Sequence, residues 1–285
     1  MKTKGRRIAI TTGLVTLVLL AFAVFLGWPH LRSWYRFWQL FEYLGVNAQG
    51  YPEYRHRQTG IVFVSLPGGK FWMGAQIKDP KGPNYDPGLK EDPVHEVTLS
   101  PFLIAKYEMS QTAWEHVMGR NPSKFVGDEL PVEQVSWEEC QEFCRRTGLK
   151  LPTEAQWEYA CRAGAPGPYA GTGELKDMGW FDGNSGIQTH PVGKKLPNRF
   201  GLHDMHGNIF EWCEDVYNES FYSTPEAVGL DPVCTSGSDY RVTRSGAFNY
   251  TFEYARCAYR YRFEAWRHNL NFGFRVVASP FSSNR

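Results

Sequence analysis

The longest apolar stretch in the chain runs from Ile8 to Trp28 and contains no charged residue. About twenty such residues, rising 1.5 Å each, match the hydrocarbon core of a bilayer. The pattern therefore predicts one transmembrane helix over residues 8–28. Lys2, Lys4, Arg6 and Arg7 precede it, which keeps the start cytoplasmic and puts the rest of the chain on the far side. A cleaved secretory signal is the alternative. Phe25, Leu26, Trp28 and Pro29 stand where small residues would mark a cleavage site, which favours an uncleaved anchor. The next stretch carries Trp34, Tyr35, Phe37, Trp38, Phe41 and Tyr43. It suits either a headgroup-level belt or a helix packed on the following domain.

Amphipathic stretches are few after that. Ser136 to Arg146 reads as a helix capped by Ser136, with Cys140, Phe143 and Cys144 on one face. Thr153 to Ala163 opens on a Thr153-x-x-Gln156 capping box, stripes Trp157, Ala160 and Cys161 along one side, and stops at Gly164. A shorter helix is expected over Gln111–Met118. Ile61–Leu66, Val97–Leu99, Arg241–Arg244 and Phe274–Ala278 read as short strands between Gly, Pro and Asn. Residues 75–95, rich in Asp, Pro, Gly and Lys, read as a surface loop. The pattern is that of a loop-rich α+β domain. It divides the chain into a cytoplasmic start (1–7), an anchor (8–28), a juxtamembrane aromatic linker (29–58), a domain (59–280) and a tail (281–285).

Composition narrows the function classes. The 285 residues carry a net charge of +1 with both signs mixed throughout, so no basic face for nucleic acid is indicated. Aromatic residues make up 15% of the chain, suited to filling a core between irregular segments. Six cysteines are scattered without a Cys-x-x-Cys pair, which gives no zinc or thioredoxin-like signal. His203 and His206 are three apart but lack a third ligand or a Glu-containing His motif, and read as surface-loop histidines. No nucleotide loop or metalloprotease motif is present.

Several ordered segments carry a family resemblance. They are Phe71-Trp72-Met73-Gly74, Pro131 to Trp137, Leu151-Pro152-Thr153-Glu154-Ala155-Gln156-Trp157-Glu158-Tyr159-Ala160-Cys161-Arg162, and Asn198 to Trp212. A C-terminal signature adds Arg244, Gly246 and Phe248, then Tyr259, Arg260 and Arg262, then Gly273, Phe274 and Arg275. Together they resemble the formylglycine-generating enzyme (sulfatase-modifying factor) family from about Ile61 to Ser279. That resemblance implies its variant of the C-type-lectin fold.

It also implies a site. Enzymes of the family hold copper(I) with two thiolates in the C-terminal segment, a pairing suited to a soft ion. The matching positions here are Tyr250 and Ala258, with Cys257 one residue off and a weak candidate. The resemblance therefore implies no copper and no formylglycine generation. Relatives with disulfides pair the positions of Cys144 and Cys161 with positions that here read Val276 and Phe263, so those bridges are absent and buried thiols are expected.

Asp204-x-x-Gly207-x-Ile209-x-Glu211 resembles the family's calcium loop, with carboxylates from Asp204 and Glu211 and carbonyls from Gly207 and Ile209; a turn without metal is the alternative. The retained groove would be lined by Tyr250, Phe252, Tyr254, Arg260, Tyr261, Arg262, Trp266, His268, Asn269 and Asn271, residue types common in recognition loops, with Arg260 and Arg275 also expected as ion-pair partners. The leading expectation is a membrane-anchored, extracytoplasmic module with structural calcium that binds a peptide, protein or glycan. A divergent oxidoreductase acting on a peptide or protein is the second, and a diversified ligand-binding domain on the same fold the third.

Overall fold

The computed structural model describes residues 33–75 and 91–279. The expected crossing at 8–28 and most of the loop expected at 75–95 lie outside the described residues. Among those described, no helix is long and apolar enough to cross a membrane. The described residues divide into a short segment, 33–41, and a compact unit, Glu42–Ser279. In the first, residues 33–40 are helical, and Trp34, Phe37 and Trp38 meet edge to face at 5.5–6.2 Å between ring centroids.

The second unit is α+β and holds the chemistry. One sheet has the order β1 (Phe41–Val46), β2 (Pro52–His56), β3 (Val62–Leu66), β6 (Phe102–Ala105), β11 (Val277–Ala278). Two of these strands, β1 and β2, come from the stretch read as a linker. Val64 and Val277 both lie opposite Ile104, so β6 joins the C-terminal strand to the first strands of the domain. A hairpin joins β4 (Gly69–Met73) to β5 (His95–Leu99). The other sheet is ordered β10 (Phe272–Gly273), β7 (Phe210–Val216), β8 (Tyr240–Arg244), β9 (Tyr261–Glu264). Of the strand expected over Phe274–Ala278, only Val277–Ala278 forms, because Phe274 to Val276 carry the chain from one sheet to the other.

Three helices pack between these strands. Helix α1 (Gln111–Met118) is capped by Ser110, and α2 (Trp137–Thr147) by Ser136 with Glu139 completing a capping box. Helix α3 (Glu154–Arg162) starts at the Thr153–Gln156 box and ends on Ala163 in the left-handed region, one residue before Gly164. Trp157, Ala160 and Cys161 of α3 join Val64, Leu66, Val97, Ile104, Cys213 and Val242 in one core. At about 25 cal/mol per Å² of buried apolar surface, such large side chains dominate the favourable side of folding.

The other face of α3 is charged and equally buried. Glu154, Glu158 and Arg162 follow one another at four-residue intervals, so they share that face. Glu154 accepts from Arg260 at 2.7 and 2.8 Å and from Arg244 at 3.2 Å. Glu158 accepts from Arg162 at 2.8 Å and also from Arg244. Burial alone would raise the Glu158 carboxyl, but Arg162 and Arg244 outweigh it and hold it below the usual range. All five side chains are nearly inaccessible. Removing one partner strands a charge in a low-dielectric interior, at a cost of about 3–5 kcal/mol. Glu158→Gln should therefore destabilise the domain by about that amount in urea unfolding at pH 7. A loss below about 1 kcal/mol, the range of an exposed pair, would show that the network does not hold the fold.

Candidate functional site

The segment after β8 is pressed tightly against itself. Gly246 takes φ +77°, and a Cβ there would strike the Tyr254 carbonyl and the backbone of Ala255 at 2.8–3.0 Å. Only glycine lets the chain pass so close to the turn over Phe252–Ala255. That turn brings successive aromatic residues onto one surface. Ring centroids run from Phe210 to Tyr250 (4.9 Å), Tyr254 (4.9 Å), Tyr259 (4.9 Å), Tyr261 (6.1 Å) and Phe263 (5.1 Å), and return to Phe210 at 6.2 Å. The six rings form a closed circuit. Most contacts are edge-on or tilted, the arrangement favoured by aromatic quadrupoles. Tyr261 is exposed, Tyr250, Tyr254 and Phe263 are half-buried, and Tyr259 is buried with a hydroxyl that has no hydrogen-bond partner.

Alternation along β9 splits the residues expected at one rim. Tyr261 and Phe263 face the ring circuit, so Arg262 points to the opposite side. There its guanidinium lies 4.7 Å from the Tyr217 ring and 5.8 Å from Tyr240, and pairs with Glu219 at 3.0 Å. These residues line a separate cleft of about 380 Å³ with Asn218 and Ser238. Arg260 is buried on Glu154, and Asn271 is buried with its amide donating to Asn249 Oδ1 at 3.0 Å. Both lie inside the domain, not at a rim. Phe252 and Trp266 are exposed, the latter by 62%. His268 meets Glu139 at 2.9 Å, and Asn269 is half-buried with its side-chain oxygen accepting from the Leu270 amide.

The two positions that would carry thiolates are filled. Tyr250 belongs to the aromatic circuit, and Ala258 is buried with its carbonyl accepting from Arg244 at 3.1 Å. Cys257 is fully buried, its carbonyl also on Arg244 at 2.8 Å.

The loop from Asp204 to Glu211 is buried around Gly207. Asp204 Oδ2 accepts from the Gly193 amide at 2.7 Å, while its Oδ1 is buried without a partner among the described residues. The Gly207 carbonyl accepts from Ser245 Oγ at 3.0 Å. Glu211 is held by both arms of Arg275 at 2.6 and 2.7 Å and by Trp157 Nε1 at 2.7 Å. Glu108, which no sequence signal singles out, completes this group. It accepts from Asn208 Nδ2 at 2.6 Å and the Ile209 amide at 3.2 Å. Burial, followed by Asp204 and Glu211, pushes its carboxyl well up. Burial likewise pushes Asp204 up to about 6. Three buried carboxylates thus face one buried guanidinium. The excess negative charge and the orphaned Asp204 oxygen suit a hard divalent cation, but Arg275 occupies Glu211, Asn208 and the Ile209 amide occupy Glu108, and among the described residues the three carboxylates do not converge closely enough to share one ion as they stand.

His206 is not a surface histidine. It is 1% exposed. Its Nδ1 faces the Ala255 carbonyl at 2.7 Å and its Nε2 the Ala170 amide at 3.1 Å. A carbonyl only accepts and an amide only donates, which fixes the tautomer. Burial brings its pKa down to about 4, so the ring is neutral at pH 7. His203 is half-buried, its ring tilted against Tyr107 at 5.1 Å.

With this geometry in place, comparison with known proteins gives the family. Residues 48–280 match the Sulfatase-modifying factor enzyme 1-like domain. The chain is 29% identical to the formylglycine-generating enzyme of Thermomonospora curvata, over 76% of this chain and 93% of that one. It is also 29% identical to the chaperone protein LppX of Paenibacillus barcinonensis, over 64% of this chain and 82% of the relative. Among solved structures, Treponema denticola variable protein 1 matches with a TM-score of 0.69 and 26% identity, over 79% of this chain and 98% of that one. PvdO from Pseudomonas aeruginosa shares the fold with a TM-score of 0.69 at 23% identity, over 80% and 97% of the two chains. The chain belongs to the sulfatase-modifying factor family.

Proposed function

We propose that this family member is a binding module, using its ring of tyrosines to hold a peptide, protein or glycan ligand, and that it does not generate formylglycine. The observation that carries the reading is the aromatic circuit standing where the family's enzymes place their thiolate pair. A Tyr250 ring in contact with Phe210 and Tyr254 is no ligand for copper(I), and Ala258 offers no donor. The oxidoreductase reading lacks a thiol at either of the family's positions, and its nearest candidate, Cys257, is fully buried. Half-exposed tyrosines give a ligand large rigid surfaces and hydroxyls at little entropic cost. Relatives that include a chaperone protein and a formylglycine-generating enzyme are consistent with a fold that hosts several roles.

Calcium and anchoring belong to the same proposal. A calcium ion at Asp204 Oδ1 and neighbouring carbonyls would offset the buried negative charge of Asp204, Glu108 and Glu211 and tie together loops with little core of their own. The Ile8–Trp28 segment, preceded by Lys and Arg, would fix the chain to a membrane with the domain outside the cytoplasm.

Two measurements test this. A cysteine-containing sulfatase peptide incubated with copper-loaded protein and O₂ should retain its thiol by mass spectrometry; conversion to formylglycine would sink the binding reading. A peptide and glycan array probed with the detergent-solubilised chain should give ligands whose affinity falls by about 1–2 kcal/mol, roughly 5- to 30-fold, in Tyr254→Ala and Tyr261→Ala, with Tm little changed. Binding indifferent to both changes would place the site elsewhere.

Chelation should lower the Tm of the calcium-loaded protein. A hundredfold excess of calcium over its dissociation constant is worth about 2.7 kcal/mol. Asp204→Ala should abolish that response, and a Tm unaffected by chelator would remove calcium from the proposal.

A further inference from the structure

Cys161 lies in the last turn of α3, and Cys257 follows the turn that carries Tyr254. Nothing in their sequence spacing pairs them, yet their Sγ atoms are 3.6 Å apart and both residues are fully buried. His206 approaches Cys161 Sγ to 3.8–3.9 Å, and the ligand atoms of all three residues lie within 4.8 Å of one another. A metal site founders on the imidazole. The single basic lone pair of the neutral ring, on Nε2, already accepts from the Ala170 amide, and Nδ1 carries its proton toward Ala255. What remains is a pair of sulfurs, too few donors for zinc.

The surroundings give the two sulfurs different roles. Burial opposes ionisation of Cys257, but the S–H donated by Cys161 and the nearby Arg162 and Arg244 outweigh it and bring its thiol below the ordinary value. Burial, with Cys257 beside it, pushes the Cys161 thiol up. One sulfur is therefore poised as thiolate and the other as its proton-bearing neighbour.

We infer that Cys161 and Cys257 close a disulfide during folding, tying α3 to the segment that carries Tyr250, Tyr254 and Tyr259. The pairing differs from the one the family resemblance implies, in which the partner of Cys161 would stand at Phe263. The oxidant is a disulfide, small or carried by an oxidoreductase. In the still-open chain the thiolate of one of the two cysteines attacks one of its sulfurs, the oxidant's S–S bond breaks, and one thiolate leaves. The other cysteine then gives its proton to water, its sulfur attacks the Sγ of the first, and the second thiolate leaves. Two electrons pass to the oxidant, which ends as two thiols. Side-chain rotation closes the sulfurs from 3.6 Å to about 2.05 Å. Because neither sulfur is accessible in the finished fold, exchange precedes closure of the domain, and burial then shields the bond. The bridge spans a long loop, where a cross-link restricts the unfolded chain most.

The test is to refold the full chain in detergent from its reduced, denatured state in a mixture of reduced and oxidised glutathione. Free thiols are then alkylated under denaturing conditions without reductant, and the protein is mapped by proteolysis and mass spectrometry. The expected map has one linked peptide pair, Cys161 with Cys257, lighter by two hydrogens, and alkylated Cys140, Cys144, Cys213 and Cys234. The linked protein should melt above the same protein refolded with reductant alone. In Cys161→Ser and Cys257→Ser the two preparations should melt together. Alkylation of both Cys161 and Cys257, or a link from either to another cysteine, overturns the proposal. So does a reduced form that retains stoichiometric copper(I) or zinc through these two residues.

Discussion

Two carboxylates on one face of α3 organise the interior. Glu154 and Glu158 between them receive Arg162, Arg244 and Arg260, and the last two arrive from the C-terminal half of the domain. A guanidinium carries five donors in a rigid fork and cannot shed its proton to escape burial. Each must therefore be met by fixed acceptors, and those acceptors define where β8 and the start of β9 sit against the helix. Arg244 also binds the carbonyls of Cys257 and Ala258. One side chain thus fixes both the sheet and the backbone from which the aromatic face projects.

The second ionic group is imbalanced. Around α3, Glu154, Glu158 and the buried Asp215 at the helix start meet Arg162, Arg244 and Arg260 one for one; around Arg275, Glu108, Asp204 and Glu211 outnumber the single guanidinium. Guanidiniums beside a thiol favour its thiolate, as Arg162 and Arg244 do at Cys257, and an interior with excess negative charge favours a bound cation or a held proton. The raised carboxyls of Glu108 and Asp204 describe the second case without a cation. The chemical options of the two regions follow from that difference, although both are built from the same residue types.

Local signals in the sequence were legible where structure is local. The Ser136 and Thr153 caps mark helices α2 and α3 to within a residue, since a cap is a contact between residues three apart. The ion-pair roles of Arg260 and Arg275 were readable from the signature they belong to. What could not be read depends on distant partners. Glu108 gains its meaning from Asn208 and Ile209, a hundred positions away in the chain. His206 looks like a loop histidine until Ala170 and Ala255 close on its ring. The linker residues that become β1 and β2 carry too weak an alternation to announce a sheet whose other strands lie far along the chain. The rim imagined from Tyr250 to Asn271 failed as a single surface for a geometric reason: strand alternation sends Arg262 to the face opposite Tyr261, and Arg260 and Asn271 point inward.

The aromatic circuit also bears on why the thiolate pair is absent without loss of the fold. Phe210, at the start of β7, and Tyr259, in the signature run, hold their places through the sheet and the core. Between them the chain bends tightly at Gly246 and turns over Phe252–Ala255, so a side chain at position 250 must rest on Phe210. A tyrosine there fills with its ring the space beside Phe210 and Tyr254, and the Glu154–Arg244 scaffold lies beneath it. The scaffold and the side chains it carries outward are separable, which is why the fold alone is a poor guide to activity here.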